Sequence, residues 1–278
     1  MSIFITFFSW IAFTATLSVL VSNKWLIFLW VPLGYVFAIA IFLIYVSLSL
    51  IYFKKTPEKN TKLRLNFSRH AVWVANNLIF NVGVRALGTD KIPKEGPTIC
   101  YCNHRSNLDA AILVQIFRRK ASFSPKASLY KVWILRQWLD FTDGMIIYRD
   151  DDRATIKEMF KAIERIKGGD LMIMFPEGTT KNHESEMMSG ARNGAYKMAL
   201  KSGAVIVPVS MYGTHKLRKR SPFLRTKITV KFHDPIPYER FKDLKTFEID
   251  EMVEKIINEG LIEIQSKYQK KNKKGKSA

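Results

Sequence analysis

The chain is poor in cysteine, poor in charge over its first fifth, and sparing with glycine and proline. Two cysteines in 278 residues exclude a disulfide-stapled scaffold. Fourteen glycines and ten prolines beside 47% apolar residues exclude collagen-like and disordered chains. No Gly-x-Ser-x-Gly elbow offers a serine nucleophile, and no His-Glu-x-x-His pair or Walker loop offers a metal or nucleotide mechanism. Acidic residues are scarce too: 24 against 44 Lys and Arg, a formal charge of +20. That excess predicts an anionic partner, and nucleic acid, a membrane surface and phosphorylated substrates all satisfy it.

The charge is unevenly placed. Residues 1–53 carry one charged side chain, Lys24. Two uncharged runs flank it, Ile3 to Val21 and Trp25 to Phe53. A helix of about 20 residues spans a hydrocarbon core about 30 Å thick, so each run is long enough to cross. The second run reaches about 43 Å as a straight helix, which predicts tilt or a bend near Pro32 and Gly34. A cleaved secretory signal fits badly, because no basic residue precedes the apolar stretch and no Ala-x-Ala site follows it. Lys54, Lys55, Lys59, Lys62 and Arg64 follow the second run and place that end in the cytoplasm. The expectation is an N-terminal two-helix membrane hairpin over 1–55 with both termini inside, in a bacterial-type inner or plasma membrane. An interfacial first segment is the alternative.

From residue 56 the pattern alternates between strand and helix. Leu63 to Val84 reads as a helix, Pro97 to Cys102 as a strand, and Leu108 to Phe117 as a helix. Met145 to Tyr148 is a short apolar run, and Arg153 to Lys167 is a helix closed by Gly168-Gly169. Leu171 to Phe175 is a strand, Gly190 to Lys201 a helix, and Ala204 to Ser210 a strand. Arg225 to Phe232 alternates as an exposed strand does, and Phe247 to Tyr268 is a final helix. Interleaved strands and helices predict one α/β domain over 56–265, with a central mixed, partly parallel sheet flanked by helices. The stretch 266–278 is rich in lysine and predicts a disordered basic tail. Cys100 and Cys102 lie two apart on one strand, so they point the same way and read as small buried apolar residues.

Two constellations carry chemistry. Asn103-His104-Arg105-Ser106-Asn107-Leu108-Asp109 follows a strand and opens a helix. Histidine suits general-base work near neutrality, and an Asp on the far ring nitrogen fixes its tautomer and stabilises the imidazolium. On one helix a five-residue separation sets side chains about 140° apart. A strand–turn–helix lets the chain double back, so Asp109 can reach His104. The plain alternative is a capping box, Ser106-x-x-Asp109, and both can hold together. The second constellation, Phe175-Pro176-Glu177-Gly178-Thr179-Thr180, ends a strand in a turn suited to an anion, or is simply a turn. Arg149 and Lys126 are further phosphate candidates; a salt bridge to Asp150, Asp151 or Asp152 is the alternative for Arg149.

The order His-x4-Asp, Gly144-x-x-x-Tyr148-Arg149, Phe175-Pro176-Glu177-Gly178-Thr179 and Val205-Ile206-Val207-Pro208-Val209 resembles the glycerolipid acyltransferase family. Within that family it is most similar to the 1-acylglycerol-3-phosphate acyltransferases. The resemblance spans roughly Pro97 to Pro237. It implies transfer of a fatty acyl group to the sn-2 hydroxyl of 1-acylglycerol-3-phosphate, giving phosphatidic acid, with another lysolipid acceptor as the alternative. The co-substrate is a thioester, acyl-CoA or acyl carrier protein, with no bound cofactor or metal. It implies further that His104 deprotonates the hydroxyl and that Asp109 orients and charges the ring. Arg149, Gly178, Thr179 and Lys126 would bind the phosphate, Glu177 would position the glycerol, and Asn103, Val207 and Pro208 would shape the pocket. The chain departs from the family pattern at Thr180, where Arg is frequent, and at Tyr148, where an acidic or polar residue is frequent.

The basic cluster Lys216, Arg218, Lys219, Arg220, Arg225 and Lys227 suits a nucleic-acid footprint in charge alone. No recognition motif accompanies it, and anionic membrane lipids account for the same charges. Those lipids, the lysophospholipid and the acidic donor are the expected partners, with no specific nucleic acid.

Overall fold

The computed structural model describes residues 2–21, 23–56, 61–148, 150–180, 185–192, 194–219 and 224–274. Two apolar helices come first, α1 (Ser2–Leu20) and α2 (Ile27–Lys55), followed by α3 (Thr61–Val74). The helices α1 and α2 pack against each other: Trp10 Nε1 donates to Val31 O at 2.9 Å, and Phe13 stacks on Phe37 at 4.6 Å between centroids. Gly34 permits that approach, since a Cβ there would fall 2.4 Å from Thr14 Oγ1. Among the described residues α2 alone is long and apolar enough to cross a membrane, and the apolar part of α1, Phe4–Leu20, is shorter. Ser9 and Ser18 in α1 return their hydroxyls to backbone carbonyls of the preceding turn.

The domain holds strands β1 (Val82–Leu87), β2 (Thr98–Cys102), β3 (Ala121–Phe123), β4 (Leu171–Met174), β5 (Val205–Tyr212) and β6 (Thr226–Phe232). They form one mixed sheet in the order β1-β6-β5-β2-β4-β3. Only β5 and β6 are antiparallel, and the other neighbouring pairs run parallel. Helices cover both faces: α4 (Asp109–Val114), α5 (Trp133–Phe141), α6 (Asp152–Lys167), α7 (Lys197–Ser202) and α8 (Thr246–Lys274). Alternation along β2 sends Ile99 and Tyr101 into one core with residues of α6, α7 and α8. Cys100 and Cys102 point into the other, with residues of α4 and α5. Both thiols are free, and burial pushes them up from their ordinary value, which suits packing and not reactivity.

The α/β architecture with a partly parallel sheet is as expected, and several local readings are corrected. The helix expected over Gly190 to Lys201 is α7, which begins only at Lys197. The helix expected over Leu63 to Val84 ends at Val74, a π turn occupies 75–79, and strand β1 begins at Val82. Strand β3 lies where no strand was expected. Strand β6 is not an exposed strand: it lies between β1 and β5 with Ile228, Thr229 and Val230 buried. The helix α8 continues to Lys274, through most of the stretch expected to be a disordered tail.

Candidate functional site

Parallel pairing puts the sequence motifs on one edge of the sheet. The partners Tyr101↔Met174 and Cys102↔Val209 align the C-terminal ends of β2, β4 and β5, so the segments after them converge. In open α/β sheets this is the edge where ligands bind.

At the end of β2 the chain doubles back as the spacing allowed. His104 Nδ1 lies 2.9 Å from Asp109 Oδ2. The same oxygen accepts the backbone N–H groups of Arg105 at 2.8 Å and Ser106 at 2.9 Å. A carboxylate accepts and cannot donate, so the proton on Nδ1 faces Asp109 and Nε2 is left on the far side of the ring. Asp109 is fully buried, while the His104 side chain keeps 15% exposure. The Ser106 hydroxyl accepts from Leu108 N at 3.2 Å. Asp109 thus orients the ring and accepts the Ser106 N–H, but the reciprocal half of a capping box is not made: α4 is entered from Leu108 with no side-chain cap.

The turn after β4 completes the setting. Phe175 stacks on the His104 ring at 4.1 Å with planes 21° apart. Glu177 accepts from His104 N at 3.1 Å and forms an ion pair with Arg105 at 2.7 Å, both side chains buried. Arg105 also donates to Ser185 O at 2.8 Å and His104 O at 2.8 Å, and to Met187 O. Glu177, expected to position a glycerol, bonds through its carboxylate to Arg105 and the His104 backbone. Gly178 has φ +65°, and a Cβ there would lie 2.4 Å from Arg192 Nε, so the glycine brings an exposed guanidinium over the turn. Thr179 and Thr180 follow on the same turn, half-buried.

Other expected residues fall in different places. Asn103 is buried and bonds both ways to Met211, Nδ2 to its O at 2.9 Å and Oδ1 from its N at 2.8 Å, which fastens β2 to β5. Val207 and Pro208 are buried inside β5, opposite Cys100 and Tyr101. They belong to the sheet core and not to a pocket wall, since the strand runs on to Tyr212. Lys126 bridges to Ile147 beyond the end of β3, so the Met145 to Tyr148 run lies beside it at the same edge. Arg149 lies outside the described residues. Sequence reasoning missed Arg105, Phe175, Arg192 and a second pair, Glu186 and His215. Arg105 and Phe175 stood inside the quoted motifs, but no spacing signals a pairing between segments 72 residues apart. No group of three or more metal-ligating side chains occurs among the described residues. A cavity of about 370 Å³ between α2, α3 and β3 is lined by Leu50, Arg64, Phe117 and Arg119 among others, and by none of the site residues.

Residues 83–212 match a family model described as Acyltransferase. A 1-acyl-sn-glycerol-3-phosphate acyltransferase of Chlamydomonas reinhardtii is 26% identical over 190 residues, covering 67% of this chain and 56% of the relative. One from Borreliella burgdorferi is 25% identical over 163 residues, covering 59% of this chain and 62% of the relative. The matches thus span less than two thirds of either relative. The crystal structure of the 1-acyl-sn-glycerophosphate acyltransferase PlsC of Thermotoga maritima shares the fold. It has a TM-score of 0.59 at 20% identity and covers 95% of this chain and 90% of that one.

Proposed function

We propose that this chain, whose residues 83–212 match the family model described as Acyltransferase, acylates the sn-2 hydroxyl of 1-acylglycerol-3-phosphate from an acyl thioester, giving phosphatidic acid. The observation that carries the reading is the His104–Asp109 pair at the sheet edge, 2.9 Å apart with the carboxylate buried. The names of the matched relatives agree with it. Nε2 of His104 takes the proton of the acceptor hydroxyl as its oxygen attacks the thioester carbonyl. Asp109 holds the ring and stabilises the imidazolium that forms. The C–S bond breaks, and the departing thiolate receives the same proton from Nε2, so no acyl-enzyme intermediate arises. Acyl-CoA and acyl carrier protein both fit as donors, and the chain needs no cofactor for these steps. Helix α2, with the basic run that follows it, would insert in the membrane and leave the domain on the cytoplasmic face against anionic lipid.

The test is an acyl-transfer assay on membranes carrying the full chain, with a panel of lysolipids and each donor. We expect phosphatidic acid from the phosphorylated acceptor. His104→Ala should lower turnover by at least about a hundredfold, the scale of a lost general base, with the fold retained. Near-normal turnover in that variant sinks the mechanism, and no product from any acceptor sinks the function.

A further inference from the structure

A second histidine–carboxylate pair stands beside the first. Glu186 Oε1 lies 2.5 Å from His215 Nδ1 and also accepts from Gly213 N. The side chains are 10% and 39% exposed respectively, so the pair repeats the plan of a more covered carboxylate holding a more open ring by Nδ1. It is built into the site. Asn103 Nδ2 donates to Glu186 O at 3.2 Å, and Arg105 donates to the carbonyls of Ser185 and Met187 on either side. His215 itself follows β5, the neighbour of the strand that leads to His104. Among the described residues Glu186 Oε2 is buried with no hydrogen-bond partner, and Gly213 N–H and the His215 ring are what answer this carboxylate there.

The acyl-transfer chemistry above uses none of these groups. His215 has Nδ1 occupied, which leaves Nε2 as the nitrogen that meets a ligand. It opens a segment, His215 to Arg220, with four Lys or Arg residues and no acid. Lys216 Nζ lies 5.8 Å over the Tyr212 ring. An imidazole ring can present one nitrogen to a carboxylate at Nδ1 and the other to an anion at Nε2. We propose that His215, held by Glu186, is a phosphate-binding residue of this site. The proposal rests on the acyl-transfer reading, and it leaves two sources for the phosphate: the monoester of the lysolipid acceptor, or the phosphates of the CoA donor.

The experiment uses the full-length protein as wild type, His215→Ala, His215→Lys and Glu186→Gln. Acceptors are 1-acylglycerol-3-phosphate and phosphate-free 1-acylglycerol, and donors are acyl-CoA and acyl-pantetheine. His215→Ala should raise KM for the phosphorylated member of one pair by about tenfold or more, the scale of a lost charge-assisted hydrogen bond. KM for its phosphate-free counterpart and kcat should hold within about twofold. His215→Lys should recover part of the affinity, and Glu186→Gln should lose part of it. A change confined to the acceptor pair assigns the lysolipid phosphate, and one confined to the donor pair assigns CoA. Equal changes on phosphorylated and phosphate-free substrates, or a fall in kcat alone, overturn the proposal. Where His215→Ala lowers the unfolding temperature, His215→Gln is read in its place. Wild-type protein inactive in every pairing overturns the acyl-transfer reading instead. The phosphate site is then judged separately, by whether inorganic phosphate protects His215 from diethyl pyrocarbonate, mapped by mass spectrometry. Absence of protection overturns it.

Discussion

Arg105 is the largest of the fully buried side chains, and it is a charged one. Its guanidinium meets both oxygens of Glu177, at 2.9 and 2.7 Å, and its other donors go to backbone carbonyls. A buried ion pair of this kind adds little net stability, but removing one partner strands the other charge, at a cost of about 3–5 kcal/mol. Glu177→Gln and Arg105→Met should each lower the thermal midpoint clearly, and the double variant should lose less than the two losses added. Additive losses would show that the two residues act independently. Glu177→Gln should also reduce acyl transfer, because Glu177 holds the backbone of His104. At this scale the sequence was legible only over short range. His104 and Asp109 sit five residues apart, within one turn's reach, whereas Arg105–Glu177 and Glu186–His215 are joined by the sheet. A lone Arg or His in a sequence does not announce its partner.

At the scale of elements, the docking of α8 on the sheet passes through one crowded point. Ser210 Oγ donates to Ile257 O at 2.7 Å and lies 2.8 Å from His233 Nε2, so the ring supplies the proton of that second bond. Gly260 faces both groups, and a Cβ would fall 2.4 Å from each. Gly260→Ala should therefore cost about 1–3 kcal/mol through overpacking, seen as a lower thermal midpoint, while a bulkier side chain should cost more. The same point titrates. Burial, with help from Lys231 and Lys91, lowers His233 from 6.5 to about 4. A ring kept neutral in the fold contributes stability that is complete above its unfolded value near 6.5. That stability is lost as pH falls from there toward about 4. Glu263, lowered from 4.5 to about 2 by its bonds to Lys231 and Lys267, loses its contribution only below about 4.5, so the two windows separate. The thermal midpoint of the wild type should fall between pH 6.5 and 4.5, and that of His233→Asn should fall less. Parallel curves would remove His233 as the cause. The central strands were readable because they are continuous apolar runs, as buried parallel strands are. The edges were not. Strand β1 carries Gly83 and Arg85 and exists by pairing with β6, 144 residues further on at Val82↔Thr226, and β3 has only three residues.

For the whole molecule, the informative feature is that the apolar helix α2 packs into the core of the domain that follows it. Along α2 the buried positions Gly34, Ala38, Phe42, Val46 and Leu50 recur every four residues, which is one helical face. Phe42, Val46, Leu50 and Phe53 share a core with Phe67, Ala71 and Val74 of α3, and Ile134 and Trp138 of α5 pack against it. The opposite face keeps Val36, Ile44 and Leu48 exposed, as a lipid-facing surface requires. Hydropathy reveals the second face and conceals the first, because both are apolar and only the three-dimensional partner tells them apart. A chain beginning at residue 56 would therefore expose Phe67, Ala71, Val74 and Trp138 together. We expect that truncation to aggregate or to need detergent, and to lose most acyl transfer even when lysolipid is presented in mixed micelles. Full-length protein in the same micelles should remain active. Static light scattering, thermal unfolding and turnover decide the point. A monomeric, cooperatively unfolding and fully active 56–278 fragment would show that α2 serves only as an anchor, and that the core it shares with α3 and α5 contributes nothing to the catalytic domain.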